Sequence, residues 1–105
     1  MLSDLTVLAA ALLGTLTDRS GTITTAGASQ VSIPANPYRA YLIIVNPWAN
    51  TTSLWINFTT AAVQASPSIE LVPGATFTFE TRYLSTEAVT ITGGTTSMPF
   101  TAKEG

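Results

Sequence analysis

The side chains able to carry acid–base chemistry in this chain are six carboxylates, and two of them, Glu70 and Glu80, flank a Pro73-Gly74 turn. A hairpin at this turn would place both carboxylates on neighbouring strands, in the arrangement that glycosidases use. Such a pair also needs a pocket that raises the pKa of one carboxyl group, and the sequence specifies none. We therefore expect the chain not to be an enzyme.

Other reactive residue types are missing. The sequence has no histidine and no cysteine, which excludes imidazole-based triads, thiol nucleophiles, disulfides and Cys/His zinc sites. Serine and threonine hydroxyls are abundant, but none has an evident activating base. The acidic residues are not clustered as calcium ligands would be, and no glycine-rich loop with a following lysine precedes a helix. We predict no metal and no cofactor.

The composition indicates one domain with an unusually uncharged surface. Of the 105 residues, 46% are hydrophobic and 10% are charged, with a net charge of −2, whereas soluble domains are about 25% charged. The surface must therefore be completed by threonine, serine and amides, or be covered by a partner. The four basic residues are too few and too scattered to bind a nucleic acid backbone, so we expect no nucleic acid partner.

Residues 5–16 form an apolar run that predicts a short helix. Ser3 or Asp4 is suited to cap it and Gly14 to end it. Because this helix has no polar face, it must be buried against its own domain or against a partner. We predict an N-terminal arm or helix, residues 1–17, that docks on a neighbouring subunit or shell. Its expected contact residues are Leu5, Val7, Leu8, Leu12 and Leu13.

The same run resembles neither a signal peptide nor a membrane anchor. No lysine or arginine precedes it, although a secretory signal begins with positive charge. It has about a dozen residues, and a spanning helix needs about 20. We expect neither export nor membrane association.

Residues 18–105 read as short strands separated by Gly, Pro and Asn, with a period of two in hydrophobicity. Seven or eight strands in fewer than ninety residues predict an antiparallel β-sandwich, jelly-roll-like or related. The predicted strands are 20–25, 29–33, 38–46, 53–58, 68–72, 75–81, 88–92 and one near 99–102.

The segment 41–45 is apolar on both faces, which predicts a central strand covered on both sides. So small a domain has little mass to cover such a strand, and we therefore expect a homo-oligomer, trimer or dimer, formed through this strand or the N-terminal segment. The predicted core consists of Ile43, Val45, Leu54, Ile56, Phe58, Leu71, Phe77, Phe79, Val89 and Ile91.

Three aromatic residues are candidates for an interface. Trp48 follows Pro47 in a loop, Tyr38 precedes the apolar strand, and Trp55 lies opposite the core-facing side of its strand. Exposed aromatics anchor interfaces or stack on sugar rings. For Trp55 three interpretations remain open: an interface residue, a residue packed within its own domain, and a sugar platform.

The order and spacing of several segments resemble small proteins that tailed bacteriophages and prophages encode near their head genes. These segments are residues 20–23, 39–47 (RAYLIIVNP), 53–58, 68–74, 85–89 and 100–105. The resemblance spans residues 18–105 and includes no chemical motif. It implies a virion structural β-domain that decorates or cements the capsid.

This resemblance implies that the partner is the major capsid protein. It also implies that the chain is made in the host bacterial cytoplasm and ends on the outer surface of the virion head. The alternative is a tail or fibre module that binds a host receptor or glycan through Trp48 or Trp55.

Overall fold

The computed structural model describes residues 16–80 and 85–105, and within these ranges the chain is an all-β sandwich of two antiparallel sheets. The predicted fold class is confirmed. The helix predicted near the N-terminus lies outside the described residues. The strands are β1 Thr17–Asp18, β2 Gly21–Thr22, β3 Gln30–Ile33, β4 Tyr41–Val45, β5 Leu54–Asn57, β6 Ile69–Leu71, β7 Thr76–Glu80, β8 Val89–Gly93 and β9 Pro99–Glu104.

One sheet has the strand order β1-β9-β4-β7, with β2 also pairing with β9, and the other has the order β3-β8-β5-β6. Every pairing is antiparallel. β1 was not among the predicted strands; it pairs with the end of β9. Strand β4 lies between β9 and β7, as the apolar pattern predicted for a central strand.

The side chains of β4 that face the core are not the ones predicted; they are those of the alternate residues. Leu42 and Ile44 are fully buried, whereas Ile43 and Val45 lie on the outer face and are only partly buried. The assignment of Ile43 and Val45 to the core was therefore wrong. Since the side chains on both faces of this strand are apolar, alternation alone did not determine which face is internal.

The rest of the predicted core is largely confirmed. Five predicted members are buried: Leu54, Ile56, Leu71, Val89 and Ile91. Phe58, Phe77 and Phe79 pack against this cluster but are only partly buried. The prediction missed several buried residues that lie outside long alternating runs: Ile23, Ile33, Met98, Phe100 and Ala102.

The Pro73-Gly74 turn does not form the hairpin on which the carboxylate pair depended. Strand β6 belongs to the four-stranded sheet and β7 to the five-stranded sheet, so the chain crosses from one sheet to the other. Gly74 has a φ of +91°, which favours glycine, and its N–H donates to the Asn46 carbonyl at 2.7 Å. Glu70 and Glu80 are consequently not on neighbouring strands.

Candidate functional site

Among the residues that the structure describes, the two most exposed aromatic side chains lie at opposite ends of β4. Tyr38 is 88% exposed and precedes the strand, while Trp48 is 83% exposed and follows it. A strand of five residues is about 17 Å long. The two residues therefore lie at separate positions, one before and one after this strand.

The turn that carries Tyr38 is held by Asn36. The Asn36 side-chain oxygen accepts a hydrogen bond from the Tyr38 N–H at 3.0 Å, and its carbonyl accepts one from the Arg39 N–H at 3.2 Å. The Asn36 amide in turn donates to Glu104 at 3.2 Å. The backbone around Tyr38 is thus fixed, although its ring is exposed.

Glu104 is the centre of a buried polar cluster beneath this turn. Its side chain is 2% exposed, and its carboxylate accepts hydrogen bonds from Arg39 Nε at 2.9 Å and from Arg19 Nε at 2.6 Å. The buried Arg39 guanidinium also donates to the carbonyls of Pro34, Ser85 and Glu87. The cluster joins β9 to two loops at this end of the sandwich.

The charge state of Glu104 follows from these contacts. Burial alone raises the pKa of its carboxyl group, but hydrogen bonds from Arg39, Arg19 and Asn36 outweigh burial, so the pKa lies below its usual value of 4.5. Glu104 is therefore ionised at neutral pH and serves as a structural anion. Arg39, Arg19 and Asn36 all donate hydrogen bonds to the Glu104 carboxylate. Its oxygens are therefore already engaged within the fold and are not available to accept a proton from a substrate.

The loop that carries Trp48 is held by the fully buried Asn46. Its amide donates to the carbonyls of Leu71 at 2.8 Å and Thr52 at 3.1 Å, and its oxygen accepts from Asn50 at 2.8 Å. The Asn50 N–H donates to the Pro47 carbonyl at 3.0 Å and closes the turn around Trp48. This second exposed aromatic therefore also stands on a rigid base.

Trp55 lies on the outer face of the four-stranded sheet and is partly buried there. Its neighbours across the ladder are Glu70 on β6 and Thr92 on β8. The Thr92 side chain is buried, and its hydroxyl has no hydrogen-bond partner among the residues that the structure describes. Trp55 therefore does not lie in the core between the two sheets.

Two shallow clefts lie on the described surface. One, of about 170 Å³, is lined by Ala49, Asn50, Thr51 and residues 95–98, directly after Trp48 in the loop. The other, of about 210 Å³, is lined by Phe58, Thr59, Thr60, Glu87, Ala88 and Thr90. Both are smaller than the 300–1,000 Å³ typical of small-molecule sites.

The remaining candidates are either dispersed or outside the described residues. The predicted contact residues Leu5, Val7, Leu8, Leu12 and Leu13 precede residue 16, where the description begins. Glu70 accepts a hydrogen bond from the Ser53 hydroxyl at 2.6 Å. Among the described residues, no three Asp or Glu side chains are grouped to hold a metal ion, and no helix is long and apolar enough to cross a bilayer.

Comparisons of this chain with protein-family models, with curated proteins and with solved structures found no match.

Proposed function

We propose that this chain is a non-enzymatic structural protein of a bacteriophage virion, which decorates the outer capsid surface and stabilises it by bridging major capsid subunits. The observation that supports bridging is the position of Tyr38 and Trp48, two exposed aromatics on rigid turns at opposite ends of β4. Tyrosine and tryptophan side chains that a partner buries on binding are frequent anchors of interfaces. Two anchors at opposite ends of one strand would allow one small domain to contact two neighbours.

The weakly charged surface also supports this proposal. Exposed ion pairs contribute only about 0–1 kcal/mol each, and the chain has ten charged side chains in total. Binding to the capsid therefore depends on apolar and hydrogen-bonded contacts, which are repeated over a lattice and gain from multivalency. We expect binding to persist at 1 M salt, where the Debye length is about 3 Å.

The test compares Tyr38→Ala, Trp48→Ala and the double variant on particles that normally carry the chain. Bridging predicts that each single variant still binds the particles, although more weakly. Each should lose most of its ability to stabilise the particle, because one anchor alone does not join two subunits. The double variant should no longer bind. Val31→Ala is the control, since Val31 is 66% exposed on the edge strand β3, which belongs to the other sheet from β4.

A second candidate function is a tail or fibre module that binds a host glycan. The exposed ring of Trp48 favours this candidate. The residues that follow Trp48 in its loop line a cleft together with Thr95, Thr96 and Ser97. In that case Trp48→Ala abolishes adsorption to the host, and Tyr38→Ala leaves it unchanged. Particle stability then does not depend on either residue.

A further inference from the structure

We propose that the open edge of β7, residues Thr76–Glu80, pairs with β7 of a second copy of this chain to form an antiparallel dimer. β7 is the last strand of its sheet: β4 lies on one side, and the described residues place no strand on the other. This inference rests on the fold alone and does not depend on the proposed function.

The sequence of β7 lacks the usual protection of an edge strand. Natural edges are commonly interrupted by proline, by bulges or by central charges. β7 reads TFTFE, pairs with β4 without a shift in register, and has its single charge at the last position, Glu80. Within residues 16–80 and 85–105, therefore, no proline, bulge or central charge prevents the outer backbone groups of β7 from pairing.

The hydrogen-bond pattern identifies which backbone groups point outward. The Asn46 N–H donates to the Ala75 carbonyl at 3.0 Å, and bonded residues alternate along an antiparallel ladder. Phe77 and Phe79 therefore use their backbone groups to bond β4. The residues that direct N–H and C=O groups to the open edge are Thr76, Thr78 and Glu80.

These outward groups are self-complementary. A two-fold axis at Thr78 places Thr78 opposite its own copy and Thr76 opposite Glu80 of the second copy, with about six hydrogen bonds between the strands. The two Glu80 residues are then about 13 Å apart along the strands, beyond the Debye length of about 8 Å at physiological salt. A parallel arrangement would place Glu80 beside its copy, which favours the antiparallel one.

An aromatic cluster at this edge gains cover from the same pairing. The rings of Phe58, Phe77 and Phe79 have centroids 5.5–5.7 Å apart, and all three side chains are only partly buried. In the dimer Phe77 lies opposite Phe79 of the second copy at a pair without backbone hydrogen bonds. Side chains approach most closely at such pairs, so the two clusters become continuous.

The first test is disulfide cross-linking, for which the chain is suited because it contains no cysteine. Residues opposite each other at a hydrogen-bonded pair have Cα atoms about 5.5 Å apart, which a disulfide spans. We expect oxidised Thr78→Cys to run as a covalent dimer on a non-reducing gel. The control Thr101→Cys, on β9 inside the same sheet, should remain a monomer. Equal yields, or no dimer from Thr78→Cys, would overturn the proposal.

The second test uses charge at the same position. Sedimentation of the unmodified chain at about 100 µM should show a dimer, whereas Thr78→Lys and Thr78→Glu should each weaken self-association by at least about tenfold, because like charges then face each other. Mixing the two variants should restore dimers. Thr78 is exposed on its own domain, so far-UV circular dichroism should show both variants folded.

A monomeric unmodified chain at this concentration, or variants that dimerise unchanged, would overturn β7 pairing. Failure of the mixture to re-associate, when each variant alone is monomeric, would overturn the two-fold axis at Thr78. Thr101→Lys is the control for added charge, and we expect it to dimerise like the unmodified chain.

Discussion

Glu104→Gln tests whether the buried polar cluster organises one end of the sandwich. The substitution keeps the size of the side chain but removes its charge and directs an amide donor at Arg19 or Arg39, both of which donate to Glu104. Removing one partner of a buried ion pair costs about 3–5 kcal/mol. Since a domain of this size has about 5–15 kcal/mol of unfolding free energy in total, the loss should be large.

Lys103→Gln is the matched control on the adjacent residue. Lys103 pairs with Asp18 at 3.2 Å, but the two side chains are 41% and 64% exposed. Such an exposed and screened pair contributes little to the unfolding free energy. Urea unfolding of both variants should therefore show a loss several times larger for Glu104→Gln than for Lys103→Gln.

The pH dependence gives a second measure of the same cluster. Because the pKa of Glu104 is lowered in the folded state, its ionised form stabilises the fold above the usual carboxyl pKa of about 4.5, and this contribution is lost as the pH falls through the folded pKa. Stability measured from pH 7 down to pH 3 should decrease more steeply for the unmodified chain than for Glu104→Gln. Equal losses in the two glutamine variants, or parallel pH profiles, would refute the reasoning.

Four further substitutions test the packing. Ile44→Ala should cost about 2–5 kcal/mol in urea unfolding, whereas Ile43→Ala should cost about 1 kcal/mol or less, because only Ile44 is fully buried; similar losses would contradict the orientation of β4. Thr92→Val should raise the unfolding free energy by about 1 kcal/mol, since the Thr92 hydroxyl is buried without a partner in the described part of the chain; a loss of stability would contradict this. Asn46→Ala should cost about 2 kcal/mol or more in the same assay, because it leaves the buried Leu71 carbonyl without its donor; a neutral result would remove Asn46 as the anchor of its loop.

Fold class and strand positions could be predicted because they depend on local signals. Alternation in β5 and β8 determined their core faces. In β5 the aliphatic Leu54 and Ile56 alternate with Trp55 and Asn57, and in β8 Val89 and Ile91 alternate with threonines. In β4 both faces are apolar, so the pairing with β7 and β9, rather than the pattern, decides that Leu42 and Ile44 face inward.

The polar cluster could not be predicted in the same way. Its members are up to 85 positions apart in the sequence, and no local pattern relates them. They are Arg19, Asn36, Arg39 and Glu104. The crossing from β6 to β7 was missed for a different reason. A Pro-Gly pair predicts a turn, but it does not determine whether the next strand stays in the same sheet.

The exposed aromatics were predicted as candidates from their positions next to prolines, and the structure places Tyr38 and Trp48 at opposite ends of β4. Their separation was not evident from sequence, because the two residues are only ten positions apart and loop lengths alone do not locate side chains. The β7 edge was also missed, since strand order is a property of the tertiary fold.

We propose that this chain stabilises a phage head by bridging capsid subunits. The most direct measurement compares the burst temperature and the host adsorption rate of particles with and without the chain. We predict that particles lacking it burst at a lower temperature and adsorb at an unchanged rate. An unchanged burst temperature together with lost adsorption would contradict decoration and favour receptor binding.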